Sequence, residues 1–376
     1  MLKGRVTNYL VIAAAAAKLA GCGASPTAKA PTGNTKNDVS SKSAKVYAKY
    51  AKLTGPTREE QLVKDAEAEG SLSVYTSWTY MDGLVEGFEN KYDMDVSVYR
   101  ASSETVLQRV LQEQKAKYYG NDVLETNQLE MAAAAEEDEG LFGEYASELR
   151  DRTRREAQFK DWTGTRFNAF VVGWNTNKVK PGQEPTSLEE LTDPRWRGRL
   201  SMELGDAAWM QALFYYYRDK GKTDAEIDAL FAGLAANSQV VKGHTAWNEL
   251  IAAGQHDVAL SQYLQVMEQS IDKGAPVAWH PKQGTPAQPI VLQANGMGVM
   301  KTATHPAAAT LFLDYALSDE GQQIIVEETR IGALPGKDDP LAGLDVIPLP
   351  SDKLLTENKQ WEERYAKLLA GKKPSS

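Results

Sequence analysis

The chain has 376 residues, 42% of them hydrophobic and 25% charged, enough for two globular domains. Its formal net charge of -9 argues against a basic nucleic-acid-binding face, and its single cysteine, Cys22, rules out an intrachain disulfide. It contains no Gly-x-Ser-x-Gly elbow, P-loop or His-Glu-x-x-His motif, and its histidines at 244, 256, 280 and 305 are scattered, so nothing in it supports an enzyme.

Lys3 and Arg5 precede a short apolar run, residues 9–17, too short to span a bilayer permanently. Leu19-Ala20-Gly21-Cys22 follows and matches the lipobox of bacterial lipoproteins. That match implies cleavage before Cys22 and acylation of Cys22 as a membrane anchor. Residues 23–45 are rich in small and polar types, with Val39 the only large aliphatic. Residues 22–56 therefore read as a flexible tether.

The fold is expected to start at Thr57, where Thr57 and Glu60 are spaced as a capping box for a helix reaching Gly70. Strands are predicted at 71–76, 93–99 and 122–126, separated by amphipathic helices at 83–92 and 103–118. That alternation predicts a parallel sheet, and ligands of such sheets sit beyond the carboxyl ends of the strands. The rule selects the loops 76–80, 100–103 and 125–128. Ser77, Trp78 and Tyr80 offer a hydroxyl and aromatic faces. Ser102 stands at a helix start, where free N–H groups suit an anionic group. Asn127 lies in the third loop, and Glu125, two residues earlier, is expected on a different face.

Residues 161–209 are the pivot of the chain. The apolar run 167–174 predicts a strand buried on both faces. Ser187 and Glu190 are spaced as a capping box for a short helix. The turn Asp193-Pro194-Arg195-Trp196-Arg197-Gly198-Arg199 buries a tryptophan between arginines. A strand at 200–203 ends at Gly205-Asp206, before a helix over 207–220 that carries Trp209 and Tyr215, Tyr216 and Tyr217. Helices are predicted at 224–237 and 245–253, the latter headed by Thr245. A strand at 257–260 leads to Tyr263, a return strand lies within 286–300, and helices follow at 306–318, 320–327 and 353–369.

The turn at 193–199 and the stretch HPAAATLFLDYALSDEGQQII, residues 305–325, resemble those of the type II periplasmic binding proteins, the solute receptors of bacterial ABC importers. The resemblance spans roughly residues 57–369 and is to the branch named for ferric-ion receptors. It implies an α/β, two-lobe type II periplasmic-binding-protein fold, each lobe a mainly parallel sheet flanked by helices, with an interlobe ligand cleft. The expected division is a signal peptide, 1–21; the tether, 22–56; lobe 1, 57–167; lobe 2, 168–290; a return to lobe 1, 291–345; and a C-terminal segment, 346–376, whose helix packs on lobe 2. It further implies a monomeric, lipid-anchored extracytoplasmic receptor without a cofactor, which hands a small-molecule ligand to an importer permease and its ATPase.

The ferric branch holds iron through two adjacent tyrosines after the second lobe's short strand, with a first-lobe glutamate and often a histidine. Here Tyr263 stands at the first tyrosine position and Leu264 at the second. Asn127 occupies the acidic position, and the loop at Trp78 and Thr79 has no histidine. Ferric ion prefers hard anionic oxygens, so bare metal is not expected at this site. Asp206, with the aromatics Trp78, Tyr80 and Trp209, points instead to an organic cation or zwitterion. The expected ligand set is Ser77, Trp78, Tyr80, Ser102, Asn127, Asp206, Trp209, Thr245 and Tyr263. Ferric iron is the alternative cargo, and a surface-anchored enzyme or sensor partner on the same scaffold is the alternative of another class.

Overall fold

The computed structural model describes residues 36–137, 140–337, 339–370 and 372. Cys22, the leader and the first part of the expected tether lie outside the described residues. The chain opens with α1 (Lys36–Tyr50), α2 (Gly55–Glu69), β1 (Ser71–Thr76), α3 (Met81–Tyr92), β2 (Asp95–Arg100), α4 (Ser103–Lys115), β3 (Val123–Asn127), α5 (Gln128–Glu136) and the single turn α6 (Glu148–Asp151). The long β4 (Thr163–Asn175) leads to β5 (Leu200–Glu203), α7 (Ala207–Asp219), α8 (Asp224–Asn237), β6 (Ser238–Val241), α9 (His244–Ala252), β7 (Val258–Tyr263), α10 (Leu264–Asp272) and the short β8 (Val277–Ala278). β9 (Ile290–Val299) returns, followed by α11 (Pro306–Ala316), α12 (Asp319–Thr329), β10 (Val346–Pro348) and α13 (Ser351–Leu368).

One mixed sheet runs in the order β2-β1-β3-β9-β4-β7-β5-β6. Its two wings are parallel, as strand–helix alternation requires, while β4 and β9 lie antiparallel at its centre. Alternate residues of β4 point to opposite faces and feed two different cores. Phe167, Ala169 and Val171 enter the first, with Leu62, Phe88 and Phe312. Phe170, Val172 and Trp174 enter the second, with Trp209, Phe231 and Trp361. The two crossing strands thus join the two lobes, and the two-lobe α/β expectation is met. Trp196 is buried in the second core, with the guanidinium carbons of Arg195 and Arg199 5.4 and 4.6 Å from its ring centroid.

The N-terminal boundary is corrected. Residues 36–50 are helical, and α2 begins at Gly55. In α1, Val39, Ser43, Tyr47 and Tyr50 recur every three or four residues and form one buried face. The Ser43 and Tyr47 hydroxyls donate to the carbonyls of Lys301 and Met300. The face was hidden in the sequence because a serine and two tyrosines build it, not aliphatics. Pro56 occupies the first turn of α2, where its missing N–H costs nothing, so Thr57 lies inside the helix and is not its cap. The second expected box is half formed. Ser187 Oγ accepts from Glu190 N, but the Glu190 carboxylate turns to Thr186.

Asp122, just before β3, ties the sheet to the head of α11. It accepts from the backbone N–H groups of Ser73, Thr304 and His305, and from His305 Nδ1 at 2.9 Å. The hydrogen bond to Asp122 raises the His305 pKa above its ordinary 6.5, outweighing partial burial. A raised folded-state pKa contributes stability that is complete below the unfolded value and lost as pH rises through the folded one. The urea midpoint should therefore decline from pH 6.5 upward, and His305→Gln should flatten that part of the slope. An identical pH profile in the variant would show that the pair does not stabilise the fold.

Candidate functional site

A cleft of about 650 Å³ lies beyond the carboxyl ends of β1, β2 and β3. Its first wall carries Ser77, Trp78, Thr79, Tyr80, Arg100, Ser102 and Asn127. Arg166 and Asn168 of β4 line it as well, with Thr245, Gln265, Gln269 and Glu328 from α9, α10 and α12. Six of the expected residues, Ser77, Trp78, Tyr80, Ser102, Asn127 and Thr245, are therefore brought together. Tyr80 is 45% exposed, whereas Trp78 is only 4% exposed and lies beneath the Arg166 guanidinium, 5.2 Å from its ring centroid. Ser102 caps α4, accepting from Thr105 N.

Asp206, Trp209 and Tyr263 do not line this cleft. Trp209 is fully buried in the second core, donating from Nε1 to Gln288 and meeting Phe231 edge-on. The packing of α7 against α8 and β9 turns it inward. Asp206 is buried and faces His244 Nε2 at 3.3 Å. Tyr263 ends β7 and stacks on His244, with ring centroids 3.6 Å apart. Burial first, then the Asp206 and Glu203 carboxylates, push its phenol pKa well up. Asn168 of β4, by contrast, lines the cleft. The Asn168 amide is held by Gln265 and Gln293.

Three residues that matter here were not in the expected ligand set. Glu125 is fully buried, and its Oε1 accepts from Arg166 Nη2 at 2.8 Å. Its Oε2 accepts from Thr76 Oγ1 and from the N–H groups of Ser77 and Trp78, which fixes the 76–80 loop. Glu125 and Asn127 are two apart on one strand and share a face, contrary to the expectation. Arg166 Nε is buried and finds no partner among the described residues. A charged residue inside an otherwise buried strand needs a partner, and that was the available signal. Arg100, the third, ends β2 and donates to Thr79.

These arginines do not favour the expected cationic ligand. Two guanidiniums line the cleft, Arg100 and the Glu125-paired Arg166, and among the described residues Glu328 is the only carboxylate of the lining. The Asp206 that suggested a cationic ligand lies outside the lining, so the expectation of an organic cation is not supported.

Residues 110–347 match the bacterial extracellular solute-binding protein family, and the chain belongs to that family. Its members bind small solutes and work with ABC importers. Iron uptake protein A2 of a Synechocystis species is 28% identical over 282 residues, covering 71% of this chain and 79% of that one. Iron-bound HitA from Pseudomonas aeruginosa superposes with a TM-score of 0.65 at 20% identity, covering 78% of this chain and 99% of that one. A Trichodesmium protein, IdiA (FutA), in complex with iron and citrate ligands superposes at 0.64 and 19% identity, covering 81% and 100%. The fold is thus that of the two-lobe periplasmic receptors. No helix among the described residues is long and apolar enough to cross a membrane.

Proposed function

We propose that this receptor carries ferric iron as a complex with a small carboxylate- or phosphate-bearing anion, not as a bare ion. The observation that carries this reading is the pair Arg100 and Arg166 in a cleft that the one tyrosine at the family's iron position, Tyr263, does not line. Such a site is short of anionic oxygens for ferric ion and well supplied with cationic donors for the anion that would bring them. The names of the relatives, an iron uptake protein and a receptor holding iron with citrate, support the cargo. Lobe closure about β4 and β9 would enclose the complex before transfer to the permease and ATPase. Acylated Cys22 would keep the receptor at the outer face of the membrane, and Cys22→Ser should abolish palmitate labelling of the chain.

Desalting after loading tests the cargo. Iron should stay with the protein when citrate is supplied and wash out when ferric ion arrives on a weak chelator alone. Arg100→Gln should lower retention, and Tyr263→Phe should bleach any phenolate–iron colour. Equal retention without an anion, or none with citrate, would reject the proposal. The arginine pair and the hydroxyls of Ser77 and Ser102 also favour a second reading, an organic anion carried without metal. Thermal stabilisation by the metal-free anion alone, with no further gain from iron, would select it.

A further inference from the structure

The turn after β5 brings two carboxylates together inside the second lobe. Glu203, the last residue of β5, is 8% exposed, and Asp206, just before α7, is 6% exposed. His244 at the head of α9 completes the group. One donor atom from each of the three lies within 4.8 Å of the others. Among the described residues, His244 is the only ion-pair partner of either carboxylate.

The surrounding hydrogen bonds orient the His244 ring. The Gln262 side chain donates from Nε2 to the His244 carbonyl and accepts at Oε1 from Tyr263 N, so its orientation is fixed. That same Oε1 faces His244 Nδ1 at 3.3 Å, which places the ring hydrogen on Nδ1. Its Nε2 faces Asp206 Oδ1 at 3.3 Å, an ion pair when the ring is protonated, and a metal ion would take the place of the Nε2 proton. Asp206 Oδ2, buried beside it, has no hydrogen-bond partner among the described residues. Glu203 accepts from Gly205 N and Gly243 N, one bond per oxygen, which orients the carboxylate and leaves each oxygen a second lone pair. An imidazole and two buried carboxylates thus converge on one point, where the ring proton or a metal ion supplies the positive charge that they require.

We propose that Glu203, Asp206 and His244 bind one divalent transition-metal ion, at a site separate from the cargo cleft. One imidazole and two carboxylates suit zinc, cobalt or manganese, with water filling the remaining positions. The Nδ1–H to Gln262 bond and the backbone bonds to Glu203 are the outer interactions that such ligands require. The Tyr263 ring, stacked on His244, holds the imidazole plane. The ion would clamp the β5–α7 turn to the head of α9, whose next residue, Thr245, lines the cleft.

The test uses the full chain stripped with EDTA, without iron or citrate, titrated with zinc and with cobalt chloride. One equivalent should bind, raise the melting temperature and, for cobalt, give visible d–d absorption. Asp206→Asn and His244→Gln should each weaken binding by about 100-fold or more. Tyr263→Phe, which keeps the stacked ring, should leave binding in place. Because either ligand substitution can disturb the turn, manganese titration of the wild type supplies a second readout, the paramagnetic broadening of the His244 ring resonances. A wild type without the cobalt band or the broadening overturns the proposal. So does a band that persists in folded Asp206→Asn and His244→Gln proteins, or one that Tyr263→Phe removes.

Discussion

Arg166→Gln should cost about 3–5 kcal/mol of folding free energy, because it strands the fully buried Glu125 without its countercharge. The remaining acceptor bonds from Thr76, Ser77 and Trp78 go to one oxygen of that carboxylate, and the other would face a neutral amide. The Glu125→Gln, Arg166→Gln double variant should recover much of the loss, since no buried charge is then left unpaired. Denaturant unfolding of the two single variants and the double variant measures this directly. Additive losses in the double variant would mean that the two residues act independently and that the pair does not organise the loop.

Tyr47→Ala should be almost as damaging, at about 3–5 kcal/mol, the range for removing a large buried aromatic. A tyrosine in a flexible tether would cost nothing. Here the ring is buried at the face of α1, and its hydroxyl donates to Met300 O at 2.8 Å. Gly143 passes so close that a Cβ there would overlap the ring. Unfolding that shifts by less than about 1 kcal/mol would return residues 36–50 to the tether.

The strands of the first lobe and the crossing strand were legible because their signals are local. Apolar runs bounded by turn-formers announced β1, β3 and β4, and the Pro–Arg–Trp–Arg turn announced the burial of Trp196. Ser77, Ser102 and Asn127 followed from the rule that ligands sit beyond strand ends. What failed depends on contacts distant in sequence. The Arg166–Glu125 pair spans 41 residues, and no linear spacing shows that β4 and β3 face each other there. Trp209 looked available because α7 alone does not say which of its faces will be covered. Phe231 of α8 and Gln288 cover it, and the Trp209–Gln288 bond spans 79 residues. Tyrosines and a serine can form a buried stripe as well as leucines do, so α1 passed as a polar linker.

Because neighbouring residues of β4 belong to different cores, the length of that strand cannot change by a single residue. One insertion between Phe167 and Val172 would exchange inward and outward sets on both sides at once, unseating Ala169 and Phe170 together. Variation is admissible only where the pairing already slips, between Gly164 and Arg166 against β9 and between Val171 and Gly173 against β7. A reporter meant to sense lobe movement therefore belongs at those irregularities or in the loops. Placed within the regular part of the crossing strand, it would read unfolding instead.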